Sequence, residues 1–350
     1  MSVRILSASR FLVAAALAAS SSAASAQVVV GDGQTLTRAD LLAGVFNGLP
    51  FTLGPNLVID INAGGAMGNL SNPGWPPSFD LAGATVNVNR GGTIQSGPGF
   101  GGSHYSGNST LNIFDGAAVG AAFVQGLTSP SLVSMPNMTM YGGEVGDDMR
   151  MFGGTFVMLG GSIGDGAGTD GTTFTMTGGT IGDRFTTGTG FFLQPFAISG
   201  GIIGDELRIT GWGTISGGVV GADLMVDRLA RLSISGGAFG SGIHVPAYDT
   251  GEGIVGGTLN LLVTALLIDG TPITLTPGET LQVSQRGGAL LEATLADGSP
   301  FEIVLNDTRI QGQDHISSHA RLTVMLVPAP NAAALLVFGG ILAARRRRCS

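Results

Sequence analysis

The chain has 350 residues, 60 of them glycine, with 43 % apolar and only 6 % aromatic content. It contains no lysine, which excludes a Walker-type phosphate loop. Six of its 16 arginines sit in the terminal segments, leaving ten against 24 acids in the body, a net of −14 that argues against nucleic acid as a partner. Its single cysteine, Cys349, is next to last, so no disulfide framework exists.

Taken in order, residues 1–26 read as a secretory signal peptide. Arg4 and Arg10 form a positive n-region, residues 11–19 are apolar, and Ala24-Ser25-Ala26 is an A-x-A cleavage site before Gln27. Residues 27–50 read as an N-terminal cap. Val28 to Val30 can start a first rung. Thr37 then stands where it can cap a helix, with Asp40 at the capping-box position. Leu41, Leu42, Val45 and Phe46 would form that helix's apolar face, and Gly48 and Pro50 would end it. Such a helix would plug the open end of a solenoid, whose first coil otherwise exposes core and an unpaired edge.

Residues 51–257 repeat. M-T-G-G-T-I-G-D at 176–183 echoes M-Y-G-G-E-V-G-D at 140–147, M-L-G-G-S-I-G-D at 158–165 and I-S-G-G-I-I-G-D at 198–205. Gly pairs begin at Gly142, Gly160, Gly178, Gly200, Gly217 and Gly236, a period near 20 that is the signature of stacked coils. Large apolar residues stand two before each pair (Met140, Met158, Met176, Ile198, Ile215, Ile234). Others stand four before it (Met138, Phe156, Phe174, Phe196, Leu232). A third set follows just after it (Val145, Ile163, Ile181, Ile203, Val220, Phe239). Alternation over so few residues marks short strands with one buried face. A lone coil cannot bury that face, but rungs stacked at roughly 4.8 Å turn each column into continuous core. The Gly pairs supply corners with positive φ. The reading is an all-β chain, a parallel β-helix of about ten rungs, roughly 45 Å long. Rungs of variable length with no six-residue apolar repeat favour the right-handed form. Residues 51–123 are less regular, with turn-rich loops expected at 69–78 and 97–108 and a third at 186–195.

After Thr258 the Gly-Gly repeat stops. Residues 258–326 carry short alternating strands separated by Asp269-Gly270, Thr276-Pro277-Gly278 and Asp297-Gly298-Ser299-Pro300, a β-rich C-terminal cap.

The end of the chain, residues 327–350, is as distinctive as its start. Val327-Pro328-Ala329-Pro330 precedes a mostly apolar run, 332–344, and then Arg345, Arg346, Arg347 and Arg348. The run alone reaches about 20 Å as a helix, short of a bilayer core of roughly 30 Å. The terminal arginines supply a positive-inside anchor. This order of elements resembles the PEP-CTERM sorting signal of bacterial surface proteins, with Ala329 where that family usually has Glu. The sequence L-A-D-G-S-P-F at 295–301, after Gly-Gly rungs, is also similar to repeat-bearing members. The resemblance implies an exosortase-type sorting enzyme as partner, transient anchoring in the inner membrane by a transmembrane helix, and a final place at the cell surface or outside, among exopolysaccharide.

Asp147, Asp165, Asp183 and Asp205 occupy one position in four successive rungs and would stack about 5 Å apart. Calcium between them is one reading. Asp after Gly in a turn bonding to backbone is the simpler one, and no cofactor is expected. Parallel β-helices also carry polysaccharide lyases and hydrolases. Asp183 with Arg184, or Asp205 and Glu206 with Arg208, supply the residue types, although paired carboxyls at a set separation are also needed. His315 and His319 would share a metal only on a helix, and their surroundings suggest a solvated pair. The sequence therefore points to an exported, non-enzymatic structural or adhesion protein, with a β-helix lyase or hydrolase as the alternative.

Overall fold

The computed structural model describes residues 26–68, 79–81, 83–95, 104–106, 109–125, 135–188, 194–251, 253–310 and 312–328. Their architecture is a parallel β-helix. Each rung lays down a strand on a first face, turns to a second, in most rungs at a glycine pair, and turns again to a third. The first face begins at Ala26–Val30 and climbs in register through Leu57–Ile61, Thr85–Val88 and Thr110–Ile113 to Trp212–Val220 and Arg231–Phe239. The third face is a ten-stranded sheet, in keeping with the expected number of rungs.

Register turns the repeat into core. Met140, Met158, Met176 and Ile198 pair directly from rung to rung, as do Phe156, Phe174 and Phe196. Val145, Ile163, Ile181 and Ile203 make the corresponding column on the second face. All are buried. Phe156 and Phe174 meet at 5.1 Å between centroids. Each fully buried side chain of this size contributes about 1.5–3 kcal/mol relative to exposure. Phe239 departs from its column's pattern: it is half-buried and meets Phe301 edge-on at 5.6 Å.

The two glycines of each pair differ in their reasons. Only the second has positive φ, as at Gly143, Gly161, Gly179 and Gly201. The first is limited by space: a Cβ on Gly178 would lie 2.6 Å from the Leu159 carbonyl oxygen of the rung below. The positive-φ corner expected of each pair is supplied by its second glycine.

The N-terminal helix is Arg38–Ala43, capped by Thr37 with Asp40 completing the capping box. It is shorter than expected. Gly44 adopts the left-handed conformation and ends it. Val45–Phe46 and Leu49–Pro50 then pair antiparallel around Asn47-Gly48, both with positive φ, as a two-residue hairpin turn requires. Leu41 and Phe46 are buried, whereas Leu42 is 64 % exposed. The cap segment also contributes to the stack, since Thr35–Leu36 pairs with Ala66–Met67.

The C-terminal segment is β-rich and more interleaved than a plain lid. The first half of Thr258–Ile268 continues the first face above Arg231–Phe239. Its second half pairs antiparallel with Ala289–Leu295, which pairs with Pro300–Leu305. The chain then returns to the ladder. His315–Ile316 adds to the third face, and Arg321–Leu326 pairs parallel with Thr258–Ile268. Thr280–Gln282 covers the far edge of Arg321–Leu326 in antiparallel sense, blunting that end against further pairing.

Two of the expected loops contain ladder strands. His104–Ser106 lies on the third face, as does Thr186–Thr187, and Pro195–Ile198 lies on the first. The loop expected at 69–78 lies outside the described residues.

Candidate functional site

The four aspartates do stack, and the stack shows how each carboxylate is used. Oδ1 of Asp147 accepts the backbone N–H of Asp165 at 2.9 Å, and Oδ1 of Asp165 accepts that of Asp183 at 2.9 Å. Oδ1 of Asp183 accepts from Asp205 at 2.8 Å, and Oδ1 of Asp205 from Ala222 at 2.7 Å. The carboxylates bond upward to the next rung, not to their own turn. The following residue, Asp148, Gly166, Arg184 or Glu206, has positive φ in every rung. Its N–H donates to the carbonyl of the aspartate, or of Ala222, one rung on. A similar polar ladder climbs the outside of the first face, where Asn87 Nδ2 donates to Asp60 Oδ1 and Asn112 Nδ2 to Asn87 Oδ1 at 2.7 and 2.8 Å.

The main concavity of chemical interest lies at the C-terminal end of the third face. Outward positions of that face carry Arg208, Met225, His244 and His315 in successive rungs. A loop of the cap lies beside the last of them and borders an open cleft of about 630 Å³, lined by Glu206, Arg208, Asp223, Met225, His244 and, from the loop, Arg309 and Gly312. The loop is held by Asp314, whose carboxylate accepts the N–H groups of Gly242, Ile243 and Val304 at 3.1, 2.8 and 2.8 Å. His244 Nε2 donates to Asp223 Oδ1 at 3.1 Å. The Nδ1 atoms of His244 and His315 are both buried with no hydrogen-bond partner. Burial holds His315 below its ordinary pKa of 6.5, disfavouring its charged form. Arg208 donates through Nε and Nη2 to Asp227 Oδ2 at 3.1 and 2.5 Å.

The acid–base groupings expected for a lyase are rearranged. Arg184 reaches back to Asp165 at 3.6 Å, with both side chains about half exposed. Asp205 is engaged with Ala222, whereas Glu206 and Arg208 do share the cleft. His315 and His319 are not a solvated pair. His315 is buried on a strand, and His319 is exposed in a turn beside Ser318. Among the described residues no group of three or more His, Cys, Asp or Glu is arranged to hold a metal ion.

Of the expected terminal signals, Ala26 begins the first strand and Gln27 donates through Nε2 to Asp60 Oδ2 at 2.6 Å. Val327 N–H donates to the Val263 carbonyl at 2.8 Å, continuing the ladder bonds, and Pro328 follows it. Ala24, Ala329, Pro330 and Arg345 to Arg348 lie outside the described residues. No helix among the described residues is long and apolar enough to cross a membrane.

Fold and site together define a parallel β-helix solenoid with a cleft bordered by a loop of its C-terminal cap. The chain matches no protein-family model, no curated protein and no solved structure.

Proposed function

We propose that this is an exported, non-enzymatic protein of the cell surface or extracellular matrix, a rigid spacer or adhesion element among exopolysaccharide. Export uses the signal peptide. An exosortase-type enzyme then sorts the chain while its C-terminal run is transiently anchored in the inner membrane. The observation that carries the reading is the aspartate ladder. The one acidic feature that recurs with the repeat is spent on the backbone of the next rung, so the repeat builds length and stiffness. Intact mass of the cell-associated and released forms tests it. The mature chain should start at Gln27 and lose its tail near Pro328 to Pro330. An extracellular form ending at Ser350 would overturn the sorting route. Neutral replacement of Arg345 to Arg348 should impair membrane retention.

The shared place of Glu206 and Arg208 in the cleft supports a second reading, a polysaccharide lyase or hydrolase. Against it, Arg208 is bound to Asp227 and is no free base. Release of unsaturated ends from a uronic-acid polymer by the protein would promote this second reading.

A further inference from the structure

The geometry points to a binding site for a neutral, hydroxyl-rich sugar unit in the cleft between the third face and the cap loop. The inference rests on the matrix reading only for the presence of polysaccharide around the protein.

Three observations carry it. First, the cleft is preformed. Its floor is ladder strand, and its far wall is pinned by the three N–H bonds to Asp314. At about 630 Å³ it falls in the range of small-ligand pockets. Second, its polar groups alternate in kind. Glu206 and Asp223 offer carboxylate acceptors, while Arg208 and Arg309 offer guanidinium donors. The Asp227 contact occupies Nε and Nη2 of Arg208, leaving Nη1 for a ligand. Third, Met225 adds an apolar group to the lining.

An anionic ligand would face Glu206 and Asp223, and a cationic one would face the arginines. A pyranose satisfies both sets, because each hydroxyl donates and accepts, and its C–H face suits the thioether. His244 orients Asp223 through Nε2, and its other nitrogen is buried away from the cleft's solvent. His244 is thus committed to Asp223 and does not itself face a ligand.

The test is an array of neutral and uronate oligosaccharides probed with the full chain in detergent, followed by calorimetry on the hits. Neutral saccharides should bind, and galacturonate hexamers should bind at least about tenfold more weakly. Glu206→Gln and Arg309→Ala should each weaken binding about tenfold or more, as loss of a charged hydrogen bond does. Both residues are exposed, so melting should be unchanged. Glu144→Gln, exposed on the second face, should leave binding intact. Absence of any neutral hit, preference for uronates, or binding indifferent to both cleft variants would overturn the proposal. Cell fractionation tests the matrix reading separately. A protein found outside the cell with an inert cleft sinks this inference alone, and a cytoplasmic protein that binds neutral glycans sinks only the matrix reading.

Discussion

The backbone N–H of Asp205 donates to Oδ1 of Asp183, one rung below, at 2.8 Å. A carboxylate whose oxygen is tied to the adjacent rung acts as a structural acceptor, and its replacement separates the structural role from metal binding. Asp183→Asn keeps an acceptor oxygen and relieves like-charge stacking, so stability should stay within about 0.5 kcal/mol of wild type. Asp183→Ala should cost about 1 kcal/mol, the net worth of one hydrogen bond. Calcium should leave the melting temperature of all three proteins unchanged. A rise with calcium that Asn abolishes would mean a metal ladder, by mass action on the folded state.

The corner glycines give a graded test of register. Gly178→Ala places a Cβ 2.6 Å from the Leu159 carbonyl oxygen, a contact that forces the rungs apart. Overpacking of this kind costs about 1–3 kcal/mol. Gly179→Ala meets a similar crowd and must also hold φ near +91°, which adds about 1–2 kcal/mol. Urea melts should therefore rank Gly179→Ala below Gly178→Ala. Ile181→Asp should lie far below both, with an unpaired charge at a fully buried ladder position. Three curves superposed on wild type would show that the rungs are misaligned.

His315 makes stability depend on pH in one direction. Its folded pKa lies below 6.5 because burial disfavours the imidazolium, with the positive fields of His244 and Arg309 adding to this and Asp307 opposing it. The unfolded chain therefore takes up a proton first as pH falls. The stabilising contribution is whole above pH 6.5 and is lost as pH drops through that value toward the folded pKa. His315→Gln should flatten the melting temperature between about pH 7 and 5 relative to wild type. An equal slope in both proteins would locate the titration elsewhere.

Arg286 fastens the cap. Its Nε donates to the Ile316 carbonyl at 2.9 Å, Nη1 to Val283 and Gln285 at 3.1 and 2.6 Å, and Nη2 to Ser317 and Ala320 at 3.3 Å each. A lysine ammonium cannot span these carbonyls. Arg286→Lys should cost about 2–3 kcal/mol and speed amide exchange at Ile316 and Ala320. Retained protection there would show that the cap is held by its strands alone.

The repeat was legible because the buried side-chain columns recur with a period near 20. Met158, Met176 and Ile198 announce their register before any coordinates. The aspartate stack was legible as a line, but not its bond direction, which depends on a left-handed residue after each aspartate that need not be glycine, as Asp148 and Arg184 show. The cleft was hidden for a different reason. His244 and His315 are register partners 71 residues apart, joined only after the cap's hairpins return the chain to the ladder. A signal did exist: Arg208-Ile209, Met225-Val226, His244-Val245 and His315-Ile316 are each an outward residue before an inward aliphatic one. The helix is shorter than expected because Gly44 ends it, while Gly48 and Pro50, read as its end, belong to a hairpin.

The placement of the cleft sets an order in time. Neighbouring rungs lie about twenty residues apart, so during synthesis each coil can settle on the one before it as soon as it emerges. Glu206, Asp223 and His244 would thus be in place while the chain is still being made. Arg309 and the pin at Asp314 arrive near the end. A prematurely terminated chain could be a well-stacked rod and still lack the far wall of its pocket. Ligand capture would then report that the chain has been made through its cap, and the solenoid's length would be checked at the end that is made last.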